Sequence, residues 1–314
     1  MPTVGILYPG DMGHNVARVL LEDGFSVVTT LVGRSERTRR LCQSTAVTVL
    51  DSLPRVVEQA EIVLSIVPPA VAKTVAAEFV AAARQTAKRP LYVDANAISP
   101  MTTQEVGEII TKAELPYLDA CIIGPARDVR GRCTFYVSGA EGKRFEEQIG
   151  QSIRTQVLGD QIGQASAFKI AFSGLNKGLA ALLFELTTAG EEFGFLEELL
   201  HTYSSVLPGI MQTLEWLVPT YPMHSARRAD EMAELADMLE HSGFSSVMAR
   251  GTQETLAAVG RLALAERYPE KGEHDWTMRE VIDAIVRDGA LIRARESADK
   301  KEAVMNLDKS EDVS

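Results

Sequence analysis

Between residue 3 and about residue 139, short apolar runs alternate with longer stretches whose apolar positions recur every three or four residues. The runs Thr3–Leu7, Ser26–Leu31, Glu61–Val67, Pro90–Val93, Tyr117–Ile122 and Thr134–Val137 have the length and composition of strands. The stretches 12–23, 54–60, 70–84, 101–113 and 140–149 have helical spacing. Strands joined through helices of that length need crossovers, and right-handed crossovers build a parallel sheet wound on both faces. An α/β domain over residues 1–160 is therefore predicted.

Beyond about residue 160 the pattern changes. Residues 164–195 read as one long helix, apolar on nearly every side through Leu179–Phe184. Further helices are predicted near 196–206, 208–217, 226–242, 246–266 and 276–294, giving an all-α second domain over 161–295. A helix with so little polar face must be covered on most sides. A helical domain of this size has limited means to do that alone, so a homodimer through the helical domain is expected. From Glu296 to Ser314 the chain is charged and short of aromatics, which predicts a disordered, solvated tail.

Charge narrows the choice of partners. The formal charge is -11, from 43 acids against 32 bases, and nearly all of the excess falls after residue 160. An acidic second half with no basic stripe excludes nucleic acid or a membrane surface as main partner and assigns any anionic ligand to the first half. Cys42, Cys121 and Cys133 are scattered with no C-x-x-C spacing, as expected of buried, reduced thiols in a cytoplasmic protein. The five histidines, at 14, 201, 224, 241 and 274, show no H-x-x-x-H or paired-carboxylate spacing, so no metal site is expected. Met1-Pro2-Thr3 runs straight into a strand pattern without a basic leader. The longest wholly apolar run, near 178–184, is far short of the roughly 20 residues that span a bilayer. A soluble, unprocessed chain is expected.

The first strand leads through Tyr8-Pro9-Gly10-Asp11-Met12-Gly13 into a helix, the order of a Rossmann-type dinucleotide site. Gly10 would let backbone approach a pyrophosphate, Gly13 would let helix pack closely on strand, and the helix start, with Asp11 and Met12, supplies N–H donors. Tyr8 replaces the usual first glycine of G-x-G-x-x-G. The second strand ends in Gly33-Arg34-Ser35-Glu36-Arg37-Thr38-Arg39-Arg40. A guanidinium fork beside neutral hydroxyls suits a 2′-phosphate better than a ribose diol, so Arg34, Ser35 and Thr38 favour NADP over NAD. Arg39 and Arg40 read as the solvated face of a short helix.

With Gly-Ile-Leu-Tyr-Pro-Gly-Asp-Met-Gly at 5–13, the chain resembles the β-hydroxyacid dehydrogenase superfamily, which includes 3-hydroxyisobutyrate and 6-phosphogluconate dehydrogenases. Four more segments are similar, in order. Ser65-Ile66-Val67-Pro68-Pro69 resembles the strand-to-loop segment beside the cofactor, which implicates Val67 and Pro68. Val93-Asp94-Ala95-Asn96-Ala97-Ile98-Ser99-Pro100 resembles the Asp-x-Ser-Thr-x-x-Pro segment, and Leu118-Asp119-Ala120-Cys121-Ile122-Ile123-Gly124-Pro125 the substrate loop. Gly163-Gln164-Ala165-Ser166-Ala167-Phe168-Lys169 is similar to the segment that opens the long interdomain helix and ends in the catalytic lysine. The resemblance implies a Rossmann domain followed by a helical domain like the C-terminal one of 6-phosphogluconate dehydrogenase, a nicotinamide cofactor and lysine-based chemistry.

The departures bear on substrate. Asn96-Ala97 stands where Ser-Thr is usual, Ile123 replaces a serine, Pro125 and Ala165 replace glycines, and Ser173 replaces an asparagine one turn after the lysine. Glu231-Met232 stands for Lys-Asp, and the stretch from Ala226 to Glu234 instead resembles a branch whose second domain has no assigned function. The named members' substrates therefore do not transfer.

Lys169 lies among Ala165, Ala167, Phe168, Ile170, Ala171 and Phe172, surroundings that disfavour its charge and suit a group trading a proton with a substrate hydroxyl. Ser173 and Asn176 follow four and seven residues later, on the same helical face. Asn96 and the backbone around Gly124 would orient an oxygen-rich group. Arg227 and Arg228 precede Glu231 by four and three residues, which predicts intrahelical ion pairs, although one guanidinium could instead bind a substrate acid. The expected activity is hydride transfer between NADP and a small β-hydroxy acid or related alcohol or carbonyl, with Lys169 as general acid and base. An imine reductase on the same architecture and a non-catalytic nucleotide-binding regulator are the alternatives.

Overall fold

The computed structural model describes residues 1–272 and 275–291. It divides into two compact units, Met1–Gly174 with Asp237–Ser245, and Leu175–Ala236 with the residues from Ser246 onward. The division lies inside a helix instead of at residue 160. His274, the end of the last expected helix and the expected tail lie outside the described residues.

The first unit runs β1 (Thr3–Leu7), α1 (Asp11–Glu22), β2 (Ser26–Thr30), α2 (Glu36–Gln43), β3 (Thr48–Leu50), α3 (Leu53–Gln59), β4 (Ile62–Ser65), α4 (Ala72–Ala83), β5 (Leu91–Asp94) and α5 (Pro100–Thr111). It continues with β6 (Tyr117–Ile123), α6 (Val129–Arg132), β7 (Thr134–Ser138), α7 (Gly142–Ile149), β8 (Thr155–Gly159) and the first turns of α8 (Gln164–Glu192). The sheet order is β3-β2-β1-β4-β5-β6-β7-β8. Alternate residues feed two cores. Val4, Ile6, Ile62 and Leu64 pack with α1 and α7 on one face, and Leu7, Val63 and Tyr92 pack with α3, α4 and α5 on the other. Burial on both faces explains why the strands read as continuous apolar runs.

One departure from the expected parallel sheet is β7, which pairs antiparallel with β6. Their connection holds only a 3-10 turn and the four-residue α6, too little chain for a crossover. Three elements carried no apolar signal. β3 and β8 are edge strands with mostly exposed or half-buried residues, and α2 buries only Cys42.

In the second unit α8 continues, followed by α9 (Leu196–Val206), α10 (Pro208–Leu217), α11 (Tyr221–His241), α12 (Val247–Gly260), α13 (Leu264–Arg267) and α14 (Met278–Arg287). Phe184 meets Tyr221 edge-on at 5.2 Å in a core that includes Met211, Met232, Leu256 and Ile285. The single helix expected over 246–266 is two, because Ala263 adopts a left-handed backbone at φ 48°.

Candidate active site

The strand order reverses between β1 and β4, and the carboxyl ends of β2, β1, β4, β5 and β6 line up side by side along one edge of the sheet. Such a switch point is where open parallel sheets hold ligands. α1 starts there with Gly10 at its N-cap and no side chain capping it. A Cβ on Gly10 would meet nothing within 4 Å, whereas one on Gly13 would lie 3.2 Å from Pro9 and 3.4 Å from Ile6. Gly10 thus leaves room for a phosphate at the positive end of the helix, and Gly13 lets α1 sit on the sheet. The Asp11 carboxylate is engaged in an ion pair with Arg37, so Asp11 offers an anion its backbone N–H. Met12 packs against the core.

Beside this turn is a cavity of about 230 Å³ lined by Tyr8, Gly33, Arg34, Ser35, Thr38, Val67, Pro68 and Val71. Five residues singled out for cofactor binding, Arg34, Ser35, Thr38, Val67 and Pro68, meet in it, and its lining holds no carboxylate. Ser35 caps α2, its Oγ accepting from the Thr38 N–H at 3.3 Å and lying 3.2 Å from the Thr38 hydroxyl. The Arg34 guanidinium lies over the Tyr8 ring, 3.8 Å from its centroid. Arg39 donates to the Arg34 carbonyl at 3.3 Å and so braces the loop. Tyr8 has φ 53°, in the left-handed region, which explains why glycine is usual there. A bulky residue in that conformation costs on the order of 1–3 kcal/mol. These residues fit a dinucleotide: Gly10 and the start of α1 would take its pyrophosphate, and the cavity its adenosine ribose.

Next along the edge, Asn96 is 2% exposed. Its Oδ1 accepts from the Val67 N–H at 2.7 Å and its Nδ2 donates to Ser65 Oγ at 3.1 Å. Expected to touch ligand directly, this amide instead ties the ends of β4 and β5 together and fixes the loop that carries Val67 and Pro68. Asp94, just before it, is buried, accepting from the Asn96 N–H at 3.2 Å and lying 3.1 Å from the Tyr117 hydroxyl. Burial pushes its carboxyl up to about 7, against the downward pull of hydrogen bonds from Asn96 and Tyr117.

Lys169 reaches the end of β6, where its Nζ donates to the Ile122 carbonyl at 2.9 Å, two residues before Gly124. Lys169 is half-buried; Ala165 and Ile170 beside it are buried, but Phe168 and Phe172 are 37% and 48% exposed, so its apolar surround is partial. Gly124 has φ 136°, and a Cβ there would come within 2.3 Å of the Arg132 carbonyl oxygen. Only glycine makes this turn. On the same strand, Asp119 receives the start of α8. Its Oδ2 accepts from the N–H groups of Gly163, Ala165 and Ser166 at 2.9, 3.0 and 3.2 Å and from the Ser138 hydroxyl at 2.9 Å. Its Oδ1 accepts from Ser166 Oγ at 2.7 Å. Burial raises its carboxyl above the ordinary range, and the Ser166, Ser138 and Gly163 hydrogen bonds oppose that rise. β6 therefore fixes both the helix that carries Lys169 and the ammonium itself. Asp119 was visible in the substrate-loop segment, but its role as the cap of a helix 45 residues later is tertiary.

Further along α8, the Ser173 hydroxyl donates to the Ile170 carbonyl at 3.2 Å. Asn176, half-buried, falls in the second unit. In that unit Arg227 pairs with Glu231 as expected, while Arg228 donates to Thr220 Oγ1 at 2.6 Å and lies 4.2 Å from the Tyr221 ring centroid. Lys177, which sequence reasoning passed over, is buried and pairs with Glu231 at 2.9 Å; burial lowers its pKa. All three cysteines are buried and unbridged.

Residues 3–148 match the family model of the NAD binding domain of 6-phosphogluconate dehydrogenase, and residues 191–259 match a domain of unknown function, DUF1932. An uncharacterized 28.5 kDa protein of Methanothermus fervidus is 25% identical over 80% of this chain and 96% of its own length. A solved structure of a conserved protein of unknown function, described as similar to 3-hydroxyacid dehydrogenases, is 28% identical, with a TM-score of 0.68 over 85% of this chain and 98% of that one. The Mycobacterium tuberculosis 3-hydroxyisobutyrate dehydrogenase shares the fold at 17% identity, with a TM-score of 0.67 over 91% and 99% of the two chains.

Proposed function

We propose that this chain, whose residues 3–148 match the NAD binding domain of 6-phosphogluconate dehydrogenase and whose residues 191–259 match DUF1932, is an NADP-dependent oxidoreductase of the β-hydroxyacid dehydrogenase superfamily that transfers hydride between nicotinamide and a small β-hydroxy acid or related alcohol or carbonyl. The observation that carries this reading is the delivery of Lys169 to the end of β6, on the same sheet edge whose other strand ends form the nucleotide cavity.

Bound nicotinamide supplies or takes the hydride. In the oxidative direction the unprotonated Lys169 amine takes the substrate hydroxyl proton; in the reductive direction its ammonium polarises the carbonyl and returns that proton. The turn at Gly124 offers backbone groups to orient the substrate's oxygens, and Asn96 keeps the Val67–Pro68 loop in place. Ser173 and Asn176 are proposed substrate contacts. The preference for NADP rests on Arg34, Ser35 and Thr38 in a cavity whose lining carries no acid to receive a ribose diol. The buried, unbridged thiols support a cytoplasmic setting.

We also read the helical unit as a homodimer interface. Leu182, Phe193, Val206 and Trp216 are exposed there, at 47%, 74%, 66% and 64%. By length and a mean hydropathy of 1.2, α8 could also cross a membrane. Lys177 and Glu185 within it favour a protein face over a lipid one.

The test is fluorescence titration with NADPH and NADH, followed by cofactor oxidation against a panel of small carbonyl acids and imines. NADPH should bind more tightly, Arg34→Ala should weaken it about 10- to 100-fold while sparing NADH, and a carbonyl acid should be turned over. Equal affinity for the two cofactors would remove the NADP assignment, and turnover of imines alone would remove the substrate class.

A further inference from the structure

Tyr8 combines two features that rarely coincide. It is an aromatic residue held in a left-handed backbone conformation, and its side chain makes three separate contacts. The hydroxyl donates to Glu78 Oε2 at 3.2 Å, the ring packs against the core beneath α4, and the Arg34 guanidinium lies on the ring at 3.8 Å. Arg34 is also held by a bond from its Nε to the Val32 carbonyl at 3.3 Å. The ring contact and the Nε bond hold the guanidinium at two points. Both residues line the nucleotide cavity.

An arginine without such a platform has many rotamers, and a phosphate that captures it must bear the loss of that freedom. Pinned in advance, the guanidinium meets the phosphate with little further ordering. A cofactor without the 2′-phosphate gains nothing from the pinned arginine, so the effect is selective. A glycine at position 8 would adopt the same backbone without strain but would offer Arg34 no ring to lie on.

We propose that Tyr8 is a specificity-determining residue, whose ring is the platform that holds Arg34 ready for the cofactor's 2′-phosphate. The inference rests on the NADP reading above. Its experiment is titration of NADPH and NADH, at one fixed ionic strength, into the wild type, Tyr8→Gly and Tyr8→Phe. Tyr8→Gly should lower the NADPH-to-NADH affinity ratio about tenfold, equivalent to about 1.4 kcal/mol, with NADH affinity held within about twofold. Tyr8→Phe, which keeps the ring, should stay within about threefold of the wild-type ratio. Glycine is at ease at φ 53°, so Tyr8→Gly should fold, and a thermal melt checks that it does. A wild-type preference for NADPH that survives in Tyr8→Gly, or equal weakening of both cofactors, would overturn the inference alone. A wild type with no NADPH preference would overturn the NADP reading, and this inference with it.

Discussion

Asp94 should make the protein lose stability as pH rises from 4 to 7, and Asp94→Asn should remove that loss. The carboxyl is 1% exposed. It faces the Tyr117 hydroxyl at 3.1 Å, and the same hydroxyl faces the Thr103 carbonyl, also at 3.1 Å. A phenol has one hydrogen. It can donate to an ionised Asp94 or to the Thr103 carbonyl but not fully to both; once Asp94 is protonated, the carboxyl can donate to Tyr117 and free the phenol hydrogen for Thr103, so both contacts are satisfied. Burial, the main cause, raises the carboxyl from 3.8 to about 7. Because the folded value exceeds the unfolded one, the stabilisation is fully present below pH 4 and is lost as pH rises through 7. At roughly 1.4 kcal/mol per pH decade, the loss approaches about 4 kcal/mol by pH 8. Asparagine donates an N–H to Tyr117 at every pH. Urea unfolding of the wild type and Asp94→Asn, followed by circular dichroism from pH 4.5 to 8, should therefore show the variant gaining on the wild type by several kcal/mol. A difference between the two proteins that stays flat with pH would refute both the protonated carboxyl and the reasoning from burial.

Two further outcomes follow from the geometry. Asp119→Asn keeps the shape of the α8 cap but cannot accept on its nitrogen, so it should cost about 2–4 kcal/mol in urea unfolding and lower kcat about tenfold as Lys169 loses its fixed position; unchanged kcat would show that the cap does not position the lysine. Sedimentation velocity at micromolar protein should show a dimer that Phe193→Glu weakens, and a wild-type monomer would contradict the proposed interface.

Much of this architecture was legible in the residue pattern because both faces of the sheet are covered. Strands such as Ile62–Ser65 bury every residue and so appear as apolar runs wherever they occur. The helices at 196–206 and 208–217 were bounded by local signals, with Pro208 opening the second. Edge strands and the polar α2 left no such trace, and the reversal of β7 follows from connection length, which no single strand records. At the candidate site, the placement of Gly10 at a helix start and of Arg34, Ser35 and Thr38 in one loop was legible because a turn, a helix start and a basic loop are contiguous in sequence. What Asp119, Asp94 and Asn96 do was not readable. Apart from the local Asp94–Asn96 bond, each acts on partners between 19 and 47 residues away, and only the ordering of the strands brings those partners within hydrogen-bond distance. Tyr8 was conspicuous as a departure, but its purpose depends on an arginine one strand over and a glutamate on α4.

The central claim is that Lys169 moves the proton that accompanies hydride transfer. Its most direct measurement is single-turnover oxidation of NADPH by wild type and Lys169→Ala with a substrate identified from the carbonyl panel, alongside NADPH titration of both proteins. Loss of the general acid should slow the chemical step at least 100-fold with NADPH affinity unchanged within about threefold. Single-turnover rates within a few-fold of each other would contradict the account.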